Sequence, residues 1–179
     1  VADNSDLGRK VLVAGQGGKS TLARALAADL GLPYIELDSI FWMANWMERD
    51  RADFRSRVQT VMDENPGSWV IDGNYASALD GLVAKQAETI VYVNMPWRVM
   101  YWRILWRSLR RSWTGEVLWH GNKERWRDSL LWTLLTRRKR FIGGRTERLR
   151  EWSVGGRLIE LDGGLALDRF YEERGLVRE

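Results

Sequence analysis

The residues best equipped for chemistry stand close together near the start of the chain. Lys19, Ser20 and Thr21 follow a glycine cluster, Gly15-Gln16-Gly17-Gly18. Glycines let backbone N–H groups turn inward onto phosphate oxygens, and a helix opening at Lys19 adds the partial positive charge of its N-terminus. A lysine placed there reaches the β- and γ-phosphates of a nucleotide, and the following serine hydroxyl can hold a magnesium ion. Gly15, Gly17, Gly18, Lys19, Ser20 and Thr21 are therefore candidate ATP ligands, with Lys19 also catalytic and Ser20 also a metal ligand. Two aspartates complete the set. Asp38 follows the apolar run Tyr34-Ile35-Glu36-Leu37, and Asp72 closes the run Trp69-Val70-Ile71. Ligands of parallel α/β sheets bind beyond the carboxyl ends of the strands. Asp38 in that place can take a proton from an acceptor hydroxyl, although a helix cap or turn would also use an aspartate. Asp72 can orient a magnesium shell.

The spacing departs from the phosphate-loop pattern G-x-x-x-x-G-K-[ST]. Counting back from Lys19, the first glycine should stand at position 13, which is Val13. From Gly15, only Gln16 and Gly17 precede Gly18, so the loop is two residues short of the pattern. A register opening at Val13 would take two residues from the strand and set a β-branched side chain in a glycine position. The shortened ring of donors is expected to be too small to encircle a phosphate. Affinity would then come from the lysine, the helix terminus and nearby arginines.

The elements that must carry these residues are legible from periodicity. Val11-Leu12-Val13-Ala14 reads as a buried strand, and Leu22, Ala25, Leu26 and Leu30 mark the helix after the glycines. Further strands are expected at 34–37, 69–72, 89–94 and 157–161. Helices are expected at 48–64, 76–85, 96–111, 146–152 and 166–174, with a loop or flap at 113–122. A helix carrying Trp126, Leu130, Leu131 and Leu134 should lead into Arg137-Arg138-Lys139-Arg140.

Composition narrows the classes. A chain of 179 residues suits one domain with a real core. It has no cysteine, which excludes a disulfide framework and a cysteine metal site, and its one histidine, His120, argues against a histidine-rich metal site or a Ser-His-Asp triad. No apolar run approaches ~18 residues and VADNSDLGRK has no signal-peptide core, so a cytoplasmic location and no membrane partner are expected. The net charge is +4, and five arginines without an acid lie between Arg98 and Arg111. Such clusters suit nucleic acid, a polyphosphate or a solvated helix face alike. The 11 tryptophans are expected to serve mostly core or lid packing rather than base stacking.

Four stretches together resemble the adenylate-kinase-like P-loop proteins: Gly18-Lys19-Ser20-Thr21-Leu22-Ala23, Leu37-Asp38-Ser39-Ile40-Phe41-Trp42, Asp72-Gly73-Asn74-Tyr75, and Pro96 leading an arginine helix. With Leu118-Trp119-His120-Gly121-Asn122-Lys123-Glu124, the chain is similar to the group labelled DNA topology modulation protein. The resemblance covers nearly the whole chain. It implies an α/β P-loop NTPase fold, a five-stranded parallel sheet flanked by helices, in one kinase-like domain with an arginine-rich helical lid at about 112–140. It also implies that Arg103 and Arg107, seven and eleven residues after Pro96, contact the adenine and phosphates of ATP, with Arg137 and Arg138 as looser counterparts after the lid.

Residues and resemblance together point to phosphoryl transfer from magnesium-ATP to a nucleotide or small hydroxyl acceptor, with Lys19, Asp38, Arg107 and Arg137 as catalytic candidates. A basic protein associated with nucleic acid, or an inactive scaffold that binds ATP weakly, are the alternatives. Asp38 favours a hydroxyl acceptor. Arg49, Arg51, Arg55 and Arg57, on one segment, tip the expectation toward a monophosphate or nucleoside.

Overall fold

The computed structural model describes residues 4–123, 145–153 and 156–178. Five strands form one parallel sheet: β1 (Lys10–Gln16), β2 (Tyr34–Glu36), β3 (Trp69–Asp72), β4 (Thr89–Asn94) and β5 (Arg157–Asp162). Their spatial order is β2-β3-β1-β4-β5, which puts β1 at the centre. The helices are α1 (Lys19–Leu30), α2 (Leu37–Phe41), α3 (Arg51–Glu64), α4 (Trp97–Thr114), α5 (Arg145–Trp152) and α6 (Gly163–Glu173), with short 3-10 turns at Asn4–Leu7, Ala44–Trp46 and Trp119–Gly121. The expected sheet flanked by helices is the architecture the chain adopts.

Strand alternation builds two cores. Val11 and Val13 of β1 point to one face, where Leu22 and Leu26 of α1 meet Leu167 and Phe170 of α6. Leu12 and Ala14 point to the other, toward Phe54, Val58 and Met62 of α3 and Leu149 of α5. A central strand covered on both faces is a continuous apolar run, which is why 11–14 reads so clearly. Each fully buried leucine or phenylalanine contributes about 1.5–3 kcal/mol of burial free energy. Gly31 ends α1 in the left-handed region at φ 63°, and its N–H caps the carbonyls of Ala27 and Ala28. The Asp50 side chain caps α3 through the N–H groups of Ala52 and Asp53. That cap is why α3 opens at Arg51 rather than at 48.

Three expectations need correction. Residues 76–85 do not form a helix but a series of turns. Asp80 and Gly81 both take positive φ, 49° and 72°, and two left-handed residues in a row break an α-helix. β2 stops at Glu36 because α2 opens at Leu37, so Asp38 lies in the first turn of a helix rather than just past a strand. The tryptophans of α4 are not packed away: Trp97, Trp102, Trp106 and Trp113 are all exposed. The expected helix through Leu130, and Arg137 and Arg138 with it, lie outside the described residues.

Candidate functional site

β1 runs on through the first part of the glycine cluster. Gly15 pairs opposite Val93 and Gln16 opposite Asn94 of β4. Only Gly17 and Gly18 therefore separate the strand from Lys19, the first residue of α1. Val13 stays inside the strand, fully buried and opposite Asp72 of β3, so the chain does not adopt the register that would open the loop there. Gly15 is required by close packing: a Cβ at φ 104° would stand 2.0 Å from the Val93 carbonyl oxygen. Asn74 brackets the same residue. Its Oδ1 accepts from the Gly15 N–H at 2.7 Å, and its Nδ2 donates to the Gly15 carbonyl at 2.6 Å.

That clamp commits the Gly15 amide to the protein itself. Gly18, at φ 122°, is the N-cap of α1, and the Leu22 N–H is bonded to its carbonyl. Amides of a first helical turn have no partner inside the helix and, with the helix dipole, favour an anion. The donor set for a phosphate is thus Gly17, Gly18 and the first turn formed by Lys19, Ser20 and Thr21. It is smaller than a full loop would offer.

Lys19 points back across the mouth of the loop. Its Nζ lies 2.6 Å from Asp72 Oδ1 and 3.4 Å from Ser20 Oγ. Asp72 is fully buried, while the Lys19 side chain keeps 16% exposure. The second Asp72 oxygen accepts from Tyr34 Oη at 3.1 Å. Burial and the negative charge of Asp72 push the Tyr34 hydroxyl well above the ordinary phenol range, so it remains a donor. Lysine, serine hydroxyl and buried carboxylate thus share one locus at the carboxyl ends of β1 and β3. No group of three or more His, Cys, Asp or Glu that could cage a metal occurs among the described residues. Ser20 and Asp72, whose oxygens now take Lys19 and Tyr34, could serve a magnesium ion without such a cage, because magnesium keeps waters and takes ligands from substrate phosphates.

A second cluster lies one strand further out. Glu36 ends β2 in register with Asp72. Asp38 follows in α2 and accepts from Tyr75 Oη at 2.6 Å. Burial pushes the Glu36 carboxyl above the usual range, opposed by a hydrogen bond from Trp119 and assisted by the charges of Asp72 and Asp38. Tyr75 packs between Phe41 and Phe54, with ring centroids 4.7 and 5.1 Å away. Asp72-Gly73-Asn74-Tyr75 therefore joins the two clusters, with aspartate on Lys19, asparagine on Gly15 and tyrosine on Asp38. Gly73 fits because Leu37 stands where its Cβ would be.

The segment after α4 covers this end. Trp119 Nε1 donates to Glu36 Oε2 at 3.1 Å, and His120 Nε2 lies 3.0 Å from the Ser39 carbonyl oxygen. Asn122 is buried; it accepts from the Trp46 N–H and donates to the Met43 carbonyl. Asn45, Trp46 and His120 take φ near +60°, a conformation non-glycine residues hold only when their surroundings impose it. The expected flap is thus a hairpin-like turn, bridged between Val117 and Lys123, docked on residues 43–46.

Among the arginines, Arg103 reaches the loop, donating to the Gly17 carbonyl at 2.9 Å. Arg107 lies one turn further along α4. Arg49 donates to the Ile40 carbonyl and pairs with Asp53, as does Arg57. Arg51 and Arg55 hold Asp80 and the carbonyls of residues 77–79. Arg51 and Arg55 thus brace α3 against the 76–86 turns, Arg49 ties α3 to α2 and Arg57 pairs within α3, instead of the four converging on Asp38. Glu36, Asn74, Tyr75 and Trp119 were not singled out individually as site residues. For Asn74, Tyr75 and Trp119 the available signal was their place in the motifs that carry the resemblance. For Glu36 it was a lone carboxylate inside an apolar strand.

The described chain is an open parallel α/β sheet whose candidate site lies at the carboxyl ends of β1, β2 and β3. Two solved structures are similar to it over most of its length. A sugar kinase from a Janibacter species is 15% identical, covers 94% of this chain and 95% of its own, and superposes with a TM-score of 0.47. A shikimate kinase from Acinetobacter baumannii, solved with shikimate, is 20% identical, covers 94% of each chain, and gives 0.48. No family model and no curated protein matches the chain. The narrower resemblance to the DNA topology modulation group rests on the sequence motifs alone.

Proposed function

We propose that the chain is a P-loop kinase-like phosphotransferase that moves the γ-phosphoryl group of magnesium-ATP to the hydroxyl of a small molecule. The observation that carries this reading is the Lys19–Asp72 pair at the mouth of the glycine turn, with Ser20 beside it and Arg103 on the loop carbonyl. Positive charge there meets the phosphates, and the first turn of α1 supplies amide donors. Ser20 and Asp72 would hold the magnesium ion, which supplies charge neutralisation on the phosphate oxygens.

The acceptor would lie toward Glu36 and Asp38. Its oxygen attacks the γ-phosphorus, the bond to the β–γ bridging oxygen breaks, and ADP departs. The hydroxyl proton passes to a carboxylate. Glu36, with its raised proton affinity, is better matched to that task than an ordinary surface acid. Asp38, held by Tyr75, is the second candidate. The Trp119–His120 turn excludes water from the acceptor, and Arg103, Arg107 and Arg137 offset charge on the donor. We take the chain as one kinase-like unit with a lid at about 112–140. The engagement of Arg49, Arg51, Arg55 and Arg57 with carboxylates and carbonyls of the protein itself favours a hydroxyl over a monophosphate acceptor.

One observation favours a second reading. The two-residue turn and the committed Gly15 amide suit a scaffold that binds ATP weakly and transfers nothing. The deciding experiment measures ADP release with magnesium-ATP against sugars, sugar acids, nucleosides and nucleoside monophosphates. Turnover is expected with a hydroxyl acceptor. Glu36→Gln or Asp38→Asn should lower it by about a hundredfold or more, the scale of a lost general base, and Arg55→Ala should not. ATP binding without turnover across the panel establishes the scaffold reading instead.

A further inference from the structure

The outer face of α4 carries a row of apolar side chains that no described residue covers. Trp102, Trp106 and Trp113 are 57%, 67% and 93% exposed, and Val99 and Leu109 are exposed with them. The five recur at intervals of three and four, so they share an arc of roughly 80° on the helix. Met100 and Ser108, on the opposite side, are buried. Arg98 borders the stripe on one side and Arg110 on the other, with Arg103 beyond it turned to the Gly17 carbonyl. α4 contains no acidic residue.

Three occupants use a helix face differently. A second copy would suit the three-four spacing, but it would set arginine flanks against arginine flanks with no carboxylate on α4 to pair them. A nucleic acid would use the arginines and indoles and leave Val99 and Leu109 wet. An anionic lipid surface uses every residue of the face. Indoles favour the boundary between headgroups and acyl chains, valine and leucine sink below it, and arginines meet the lipid phosphates. No helix among the described residues is long and apolar enough to cross a membrane, and lying on a surface needs no such helix.

We infer that α4 docks the protein on an anionic lipid surface, with Trp102, Trp106 and Trp113 inserted at the headgroup level and Arg98 and Arg110 on the lipid charges. The test is co-sedimentation of the full chain with vesicles of phosphatidylcholine alone and of phosphatidylcholine with phosphatidylserine in equal parts. Binding to the anionic vesicles should be at least about tenfold stronger and should weaken with salt, because exposed charges are screened. Trp106→Ser with Trp113→Ser should reduce it by at least about tenfold. Arg98→Gln with Arg110→Gln should remove most of the preference for anionic lipid and most of its salt dependence. Circular dichroism checks that both double variants keep the parent helix content. Absence of binding to either vesicle overturns the inference, and so does equal binding to both. A dimer in sedimentation velocity that the tryptophan variant dissolves, without vesicle binding, assigns the face to a second copy. Single-stranded oligonucleotide binding lost in that variant, again without vesicle binding, assigns it to nucleic acid.

Discussion

Inserting Ser-Gly between Gly18 and Lys19 restores the full G-x-x-x-x-G-K-S spacing, from Gly15 through the new glycine to Lys19-Ser20. The insertion point lies beyond the Asn74 clamp on Gly15 and beyond the last β1 pairing at Gln16, so neither needs to move. The new glycine inherits the N-cap position, where the present residue sits at φ 122°. Two backbone amides join the donor set. A hydrogen bond to a charged group contributes about 1.5–3 kcal/mol, so two contribute about 3–6 kcal/mol. Ordering two more residues costs about 1–2 kcal/mol each, or about 2–4 kcal/mol. The difference is about 1–2 kcal/mol, and 1.4 kcal/mol corresponds to about tenfold in affinity. Titration calorimetry with magnesium-ATP on the parent, the insertion and the insertion with Lys19→Ala should therefore show a gain of about tenfold that the third form loses. Equal or weaker binding after the insertion would refute the argument, because the two-residue turn would already be a competent phosphate site.

Two further outcomes test the surrounding structure. Asp72→Asn leaves the Lys19 ammonium without its counter-charge beside a buried amide. It should lower stability in urea by about 2 kcal/mol, less than the ~3–5 kcal/mol of a fully enclosed pair because Lys19 can turn toward solvent. An unchanged urea midpoint would show that the pair carries no stability. Asp6 is held at about 2, against an ordinary 3.8, chiefly by its hydrogen bond from Arg174 and also by Arg157. A depressed carboxyl stabilises the fold above its unfolded value and ceases to as pH falls through the folded one. Asp6→Asn should thus flatten the loss of stability between pH 3.8 and about 2. Parallel curves for parent and variant would rule that linkage out.

The sheet was readable because its three inner strands, β1, β3 and β4, are short apolar runs buried on both faces, and that pattern is local. Boundaries set by other parts of the chain were not readable. Residues 76–85 have helical spacing, but Asp80 is pulled into the left-handed region beside Gly81 while Arg51 and Arg55 hold its carboxylate. A propensity argument does not see that tertiary override. The same arginines looked like an acceptor site because charge clusters read alike in sequence whether they bind a ligand or brace a helix. Lys19, Ser20 and Asp72 were legible because their chemistry is tied to strand ends. Glu36 was not, because its raised proton affinity comes from burial and from the charges of Asp72 on β3 and Asp38 in α2.

A glycine turn two residues shorter than the phosphate-loop pattern could leave the junction of strand and helix poorly bonded, yet here the junction is well bonded. The reason lies in Asp72-Gly73-Asn74-Tyr75. Asn74 supplies Gly15 with both a donor and an acceptor, so the shortened backbone does not have to satisfy itself. Asp72 keeps Lys19 at the mouth of the turn, and Tyr75 ties the arrangement to Asp38. Sheet, lysine and carboxylates are therefore held by side-chain contacts that do not depend on the missing residues. If the proposed phosphotransfer holds, loop length would change the grip on the donor phosphates while the Glu36–Asp38 end keeps its geometry. On the proposed reading, donor affinity and acceptor recognition would be separable, and calorimetry on loop variants and turnover of carboxylate variants should report different defects.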